Sequence, residues 1–351
     1  MPDQNPPAHA AAPAIAVVIP FYNGSAFIER ALRSVVAQTL PAAEVVVVND
    51  GSEPQEREFL HALQPRYGFT LIDQENGGQG AARNAGVAAS SAPYICFLDQ
   101  DDFYLEQHHR ILAQAIPPDE PRWGWVYADL WEADAEGRTV SHSVEKSPGK
   151  HPKQNLFDML RYDMFVLPSA ALIRRAAFEA VGGFDTQFTG YEDDDLFLRI
   201  FRAGYTNHFV NRAVTVWCVH TASTSYSMRM ARSRLKYFKK LAAAFPDEPR
   251  RNRSYLRDCL RPRFGPFIMS HALQSAMAGD ENRAETRANL DEYAAIMLAS
   301  PIGPRSRLKL RIIAALVHHC PPRLLRTMIG VLIRLPKMVW LRQLLAAVEA
   351  T

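Results

Sequence analysis

The first hundred residues alternate four short apolar runs, at 15–19, 45–48, 69–72 and 94–98, with segments whose apolar residues recur at helical spacing. Runs of this length, rich in Val and Ile, read as strands buried on both faces. Pro20 closes the first, and the turn cluster Asn49-Asp50-Gly51-Ser52 closes the second. Helices are predicted over 27–38, with Phe27, Ala31, Leu32, Val35 and Val36 on one face, and over 54–63 and 80–89. Strand and helix in strict alternation predict an α/β fold: a Rossmann-like, mostly parallel sheet flanked by helices, with right-handed crossovers.

Further strands are predicted at 125–130, 169–173 and 214–219. A helix should end at Gly182-Gly183, and an amphipathic helix over 192–203 is stopped by Gly204. Residues 141–151 are polar and read as a mobile loop. Beyond about residue 230 the strand patterns give way to Leu, Ala and Arg. The expected organisation is therefore a disordered Pro- and Ala-rich leader over 1–13, an α/β domain over 14–230, and a helical accessory region over 231–351.

The net charge of +3 hides an asymmetry. After Ser300, nine basic residues (Arg305, Arg307, Lys309, Arg311, Arg323, Arg326, Arg334, Lys337, Arg342) face Glu349 alone, so this segment carries +8 and the remainder −5. A mildly acidic body argues against a nucleic-acid partner, whereas a basic apolar tail asks for one of its own. Arg326, Arg334, Pro336 and Lys337 interrupt the best candidate for a membrane span. Four scattered cysteines, Cys96, Cys218, Cys259 and Cys320, show neither zinc-site nor disulfide spacing, which predicts reduced, buried thiols in a cytoplasmic protein.

The fourth apolar run ends in Asp99-Gln100-Asp101-Asp102. Open α/β sheets bind ligands beyond the carboxyl ends of their strands. Acids crowded there repel one another unless a cation sits among them, and a hard divalent ion shared with phosphate oxygens suits such donors. The alternative is a turn with Asp99 as a helix N-cap, a reading that also fits Asp102. Gly78 and Gly80 supply the first two glycines of a dinucleotide fingerprint. Arg83 stands where the third belongs, and the cluster follows the third strand rather than the first, which argues against a dehydrogenase.

Taken in order, Val18-Ile19-Pro20-Phe21-Tyr22-Asn23, Val48-Asn49-Asp50-Gly51-Ser52, Gly77-Gly78-Gln79-Gly80-Ala81-Ala82-Arg83-Asn84, Leu98-Asp99-Gln100-Asp101-Asp102, Gly182-Gly183-Phe184-Asp185 and Tyr191-Glu192-Asp193-Asp194-Asp195-Leu196 closely resemble the family-2 glycosyltransferases of the A fold. The resemblance covers roughly residues 15–225. It implies an inverting enzyme with a nucleoside diphosphate sugar donor, commonly a UDP-sugar, and a divalent Mn2+ or Mg2+ ion.

By that resemblance Pro20 and Tyr22 line the nucleoside pocket, Asp50 meets the uracil end, and Arg83 neutralises donor phosphate. Asp99 serves ribose, phosphate and metal; Asp101 is the more direct metal ligand; His220 completes the metal site. Each has a plainer alternative: an Asx-turn for Asp50, a partly buried ring for Tyr22, a solvated helix charge for Arg83, a structural or exposed strand-end residue for His220. Asp193 is the expected catalytic base, because a sugar hydroxyl becomes a good nucleophile only as its proton is removed. Glu192 and Asp195 then support the helix electrostatically, and the alternative is that all four acids decorate its N-terminus. Asp194 departs from the aromatic residue common at that position, which touches the acceptor contact and leaves the base assignment in place.

The segments 308–316 and 324–345 interleave apolar residues with Arg and Lys. Such helices either lie on an anionic bilayer, suiting an enzyme that acts on a glycan or lipid-linked acceptor in cell-surface polysaccharide synthesis, or pack on the body or a second copy. Peripheral attachment through 305–345 at the inner face of the membrane is the corresponding expectation. Two other functions compete: a nucleotidyltransferase, which calls for a basic Gly-rich loop where the chain has Phe21-Tyr22-Asn23-Gly24-Ser25, and a non-catalytic sugar-nucleotide or glycan-binding module.

Overall fold

The computed structural model describes residues 13–143, 150–219 and 228–349. The predicted leader, but for its last residue, and most of the predicted loop at 141–151 lie outside the described residues, as does His220. In chain order the elements begin β1 (Ile15–Phe21), α1 (Ser25–Val36), β2 (Glu44–Asp50), α2 (Pro54–Tyr67), β3 (Thr70–Gln74), α3 (Gln79–Ala88) and β4 (Tyr94–Phe97). There follow β5 (Phe103–Tyr104), α4 (His108–Gln114), β6 (Trp123–Ala133), β7 (Thr139–Ser141), α5 (Leu156–Arg161), β8 (Ala171–Arg174), α6 (Arg175–Ala180), α7 (Glu192–Arg202) and β9 (Thr206–Cys218). The rest is helical: α8 (Met228–Ala244), α9 (Arg261–Ala278), α10 (Arg283–Ala299), α11 (Pro304–His319), α12 (Pro322–Leu332) and α13 (Val339–Glu349).

The strands form one sheet in the order β3-β2-β1-β4-β8-β6-β9-β5, with β7 paired to β6. β3, β2, β1 and β4 are mutually parallel, as the alternating pattern predicts. β8 then runs antiparallel to both β4 and β6, and β9 returns parallel to β6. Every residue of β1 is buried, because helices cover both faces. Ile15, Val17, Ile19 and Phe21 pack in one cluster with Ile28, Leu32 and Val35 of α1 and with Leu60 of α2. On the other face Val46 and Val48 meet Ala82 of α3.

The short elements β5, β7, α4 and α5 escape the sequence prediction, since a few residues carry too little period to register. β9 begins at Thr206 rather than near 214: its first half alternates half-buried and exposed polar residues, and its register against β6 shifts around Asp129, a bulge.

The chain divides into two compact units. The first comprises the described residues 13–143, 165–187 and 192–219, and so holds the whole sheet; the second comprises 150–164, 188–191 and 228–349. Residues 150–164 and 188–191 thus group with the C-terminal helices although they precede residue 230. Within this helical unit Tyr237, Phe238, Phe264 and Tyr293 are buried against one another. No helix among the described residues is long and apolar enough to cross a membrane.

Gly86 lets α3 settle onto β1 and β2. A Cβ there would run into the Val18 side chain and lie 3.2 Å from Val48 Cγ2. Gly86→Ala is therefore expected to cost about 1–3 kcal/mol by overpacking, seen as a lowered denaturant midpoint with an unchanged slope.

Candidate active site

The carboxyl ends of β1, β2 and β4 meet along one edge of the parallel half of the sheet, and side-chain hydrogen bonds fix the loops that leave them. Gln100, just past β4, grips the end of β1: its Oε1 accepts from Tyr22 N at 2.8 Å, and its Nε2 donates to Tyr22 O at 3.1 Å. Gly24 leaves room for this amide, since a Cβ would collide with it. The Tyr22 ring is left 44% exposed at the rim, while Pro20 is buried behind it.

Asp50, at the end of β2, is buried and engaged. Its Oδ1 accepts from Gln74 Nε2 at 2.7 Å and Gly77 N at 2.8 Å, and its Oδ2 from Gly78 N at 2.8 Å. Gly78 adopts a left-handed φ of 85°. The two amides that a dinucleotide fingerprint would turn toward pyrophosphate are thus held by a carboxylate, a physical reason, beyond motif order, why this loop is not that fingerprint. An ionised carboxylate has about four acceptor sites, so Asp50 retains capacity for one more donor.

Arg83, expected at donor phosphate, pairs with carboxylates in this structure. The side chain is 3% exposed, and its guanidinium bridges two carboxylates remote in sequence. Nη2 donates to Asp99 Oδ1 at 2.6 Å and Nη1 to Glu192 Oε1 at 3.4 Å. The ring of Phe184 lies against it at 5.2 Å. Burial alone would weaken its hold on a proton, but the charges of Asp99 and Glu192 outweigh that and raise its pKa. Gln79, one helical turn before Arg83 on α3, donates to the same Asp99 oxygen at 2.8 Å. The strand end that carries Asp99 and the helix N-terminus that carries Glu192 are thereby drawn together.

The four acids of α7 separate by surroundings. Glu192, Asp194 and Asp195 are buried, and Asp193 is half-exposed. Asp195 accepts from Arg199 Nε at 2.7 Å, and Arg199 also donates to the carbonyls of Val181 and Gly183, both at 2.7 Å. From the other side Asn84 pairs with Phe184 N and O, both at 2.9 Å. Gly182 and Gly183 take left-handed φ values of 76° and 72° in this clamped turn. Glu192 and Asp195 thus tie the helix down, which leaves Asp193 as the acid of the first turn that faces outward. Its Oδ1 accepts from the Asp194 amide at 2.8 Å.

After β4 the three carboxylates diverge in role. Asp102 is buried, accepting from Cys218 N at 2.9 Å and from Ser169 Oγ at 3.2 Å, so it ties the end of β4 to β9 rather than capping a helix. Burial pushes its carboxyl well above the usual carboxylate range, and the charges of Asp101 and Asp99 push it further. Arg30 of α1 donates to the Asp101 carbonyl at 2.7 Å and fixes the backbone there. Both Asp102 oxygens are thus engaged, with the carboxylates of Asp99 and Asp101 following the same strand. Crowded carboxylates of this kind fit a hard divalent cation.

The sequence reading placed Tyr22, Pro20, Asp50, Arg83, Asp99, Asp101 and Asp193 in one site, and all lie in the α/β unit. It missed Gln79, Gln100, Asn84 and Arg30, whose hydrogen bonds hold the site together. Gln79, Asn84 and Gln100 stand inside the motifs that carry the resemblance, whereas Arg30 left no signal. Arg83→Met is expected to lower stability by about 3–5 kcal/mol in urea unfolding, because two carboxylates lose their shared cation. Arg83→Lys, which keeps the charge without the fork, should fall between.

Comparison with known proteins identifies the family and the fold. The glycosyl transferase family 2 sequence model matches residues 16–182, and the N-terminal domain of galactosyltransferase matches residues 160–221. The uncharacterised glycosyltransferase YwdF of Bacillus subtilis (strain 168) is 30% identical over 237 residues, which cover 65% of this chain and 82% of YwdF. Some curated relatives are longer, and the chain spans 28% of one from Rickettsia bellii. Among solved structures, S. aureus TarS 1–349 in complex with UDP-GlcNAc aligns with a TM-score of 0.60 at 17% identity, over 91% of this chain and 92% of that one. Mannosyltransferase PcManGT from Pyrobaculum calidifontis, in complex with GDP-Man and Mn2+, aligns with a TM-score of 0.53 at 19% identity, over 95% and 86%. The chain is a transferase: it belongs to glycosyl transferase family 2 and has the A fold.

Proposed function

We propose that the protein transfers a sugar from a nucleoside diphosphate donor, a UDP-sugar in the first instance, to a hydroxyl of a glycan or lipid-linked acceptor, with inversion. The observation that carries this reading is the Arg83 bridge. By joining Asp99 to Glu192 it ties the loop that carries Asp101 to the helix start that carries Asp193, which supports a shared site. The donor complexes of TarS and PcManGT support a nucleotide-sugar.

In this proposal the exposed Tyr22 ring stacks on the base and Pro20 backs it. Asp50 holds the Gly77-Gly78 turn and offers its remaining acceptor capacity to the nucleoside. Arg83 acts through its neighbours: it orients Asp99 and keeps the α7 N-terminus close. Asp99 and Asp101 hold Mn2+ or Mg2+, with His220 joining them on sequence grounds alone. When bound, the cation offsets the negative charge that builds on the departing diphosphate. Asp193, half-exposed at the positive end of a helix, accepts the proton of the acceptor hydroxyl as that oxygen attacks the anomeric carbon.

The acceptor's setting follows from the C-terminal helices. Leu308 and Ile312 of α11 are 60% and 43% exposed; Leu324, Met328 and Val331 of α12 are 52%, 37% and 56% exposed. Each set recurs at helical spacing, on α11 turned away from the buried Leu310 and Ile313 and on α12 beside the buried Leu325 and Ile329. Arg305, Lys309, Arg311, Arg323 and Arg326 are exposed along the same helices. An apolar face flanked by cations fits an anionic bilayer, at about 1 kcal/mol per basic side chain near the surface.

Two measurements test the proposal. Asp193→Asn should lower kcat by at least about 100-fold while donor affinity stays within about twofold of wild type. Activity within tenfold of wild type removes Asp193 as the base. In flotation assays the protein should rise with phosphatidylglycerol vesicles at low salt, sink at high salt, and ignore phosphatidylcholine. Leu324→Asp with Val331→Asp should abolish flotation. Binding that ignores both salt and these substitutions contradicts the membrane assignment.

A further inference from the structure

Beneath the catalytic edge, in the core of the α/β unit, Cys96 of β4 and the adjacent His108 and His109 at the start of α4 are all fully buried. Each offers one ligand atom, and the three atoms lie within 4.8 Å of one another. Sequence spacing gave no hint of this group; the short, unpredicted α4, held against β9 through His108 and Thr215, brings it together.

The surroundings fix the tautomers of both rings. His108 Nδ1 lies 3.0 Å from Thr215 Oγ1 and 3.3 Å from Val214 O. Thr215 gives its own hydroxyl proton to Ser169 O at 2.6 Å, so toward His108 it accepts, and Nδ1 carries the proton. His109 Nδ1 lies 3.0 Å from Leu40 O, and a carbonyl only accepts. Both rings are therefore Nδ1–H, with the lone pair on Nε2. Neither buried Nε2 has a hydrogen-bond partner.

Charging the rings offers no escape. Burial pushes the His109 pKa down to about 4 and that of His108 well below its ordinary value. One thiol proton can serve at most one of two acceptors, so the group as it stands holds more lone pairs than donors. Buried polar groups left in this state call for an absent water or ion. His108 is further held by Tyr104, stacked at 3.7 Å, whose hydroxyl donates to Phe97 O at 2.7 Å. Imidazoles whose Nδ1–H is anchored on oxygen, and whose buried Nε2 is left without a hydrogen-bond partner, are held as metal-binding histidines are.

The geometry points to a buried site for one thiophilic closed-shell cation, Zn2+ or Cu+, bound by the Cys96 thiolate and the Nε2 atoms of His108 and His109. Binding breaks the S–H bond and releases its proton to solvent; one metal–sulfur bond and two metal–nitrogen bonds form, and no oxidation state changes. Bonds of about 2.0 Å to nitrogen and 2.3 Å to sulfur draw the three ligands in by about 1 Å. A set of one soft sulfur and two nitrogens differs in kind from the all-carboxylate edge at Asp99 and Asp101, so the two sites take different ions. The site would brace β4 against α4, three residues before Asp99, and it stands whether or not the donor reading does.

Its burial means that the metal enters as the chain folds. The test therefore refolds the full chain from denaturant with one equivalent of Co2+ as the spectroscopic probe, and separately with Zn2+ or Cu+ under reducing, anaerobic conditions. Wild-type protein is expected to show a thiolate-to-cobalt charge-transfer band and to retain one equivalent of Zn2+ or Cu+ through gel filtration; the ion held more tightly in competition names the preferred cation. Asp101→Asn should leave the band unchanged, and Cys96→Ser should remove it. His109→Gln, which covers the case of a Cys96→Ser chain that fails to refold, should weaken binding more than about tenfold. No band in the wild type, a band that survives in Cys96→Ser, or unchanged affinity in His109→Gln overturns the site.

Discussion

A single buried cation organises the catalytic unit. Arg83 sits on α3 with its guanidinium out of water, and its charge is tolerable only because Asp99 and Glu192 face it. Neither carboxylate is near the other in sequence: one ends the fourth strand and the other begins α7. Requiring both to meet one fork holds the loop after β4 to the start of α7, the segments that carry Asp101 and Asp193. Gln79, Asn84 and Arg199 then fix what the ion pair has brought close, by holding Asp99 and the Gly182-Gly183 turn.

Much of this was legible in the residues, and the limits are physical. Buried parallel strands need continuous apolar runs, so β1, β2 and β4 could be read directly, and the acids at their tips stood out. Spacing along a chain does not tell which donor a carboxylate will find. Asp50 and Arg83 were both placed in the site, yet Asp50 spends two of its bonds on Gly77 and Gly78, and Arg83 meets carboxylates rather than solvent. Burial made the difference: a solvated Arg could turn to a phosphate, whereas one nearly sealed from water is committed to its counter-ions. Short elements such as α4 were invisible for a different reason, too few residues to show a period.

β4 carries two kinds of chemistry a few residues apart. Its last residues open onto hard oxygen donors at Asp99 and Asp101, and Cys96 points into a core where sulfur and imidazole nitrogen are the ligand atoms on offer. The all-buried pattern of the strand conceals this from the sequence, because a buried Cys reads as a small hydrophobe until its neighbours are known. In the helical unit the contrast is between faces. α11 and α12 bury one row of apolar residues and expose another among arginines, so their amphipathicity is incomplete as it stands.

The convergence of the two acidic edges can be seen directly in crystals grown with Mn2+ and a nucleoside diphosphate, from the anomalous scattering of the metal. The account predicts a manganese peak about 2.2 Å from carboxylate oxygens of Asp101 or Asp99, with the Asp193 carboxylate opening onto the same cleft as the bound diphosphate. A peak at other residues, or an Asp193 side chain turned to a different face of the α/β unit, would contradict it.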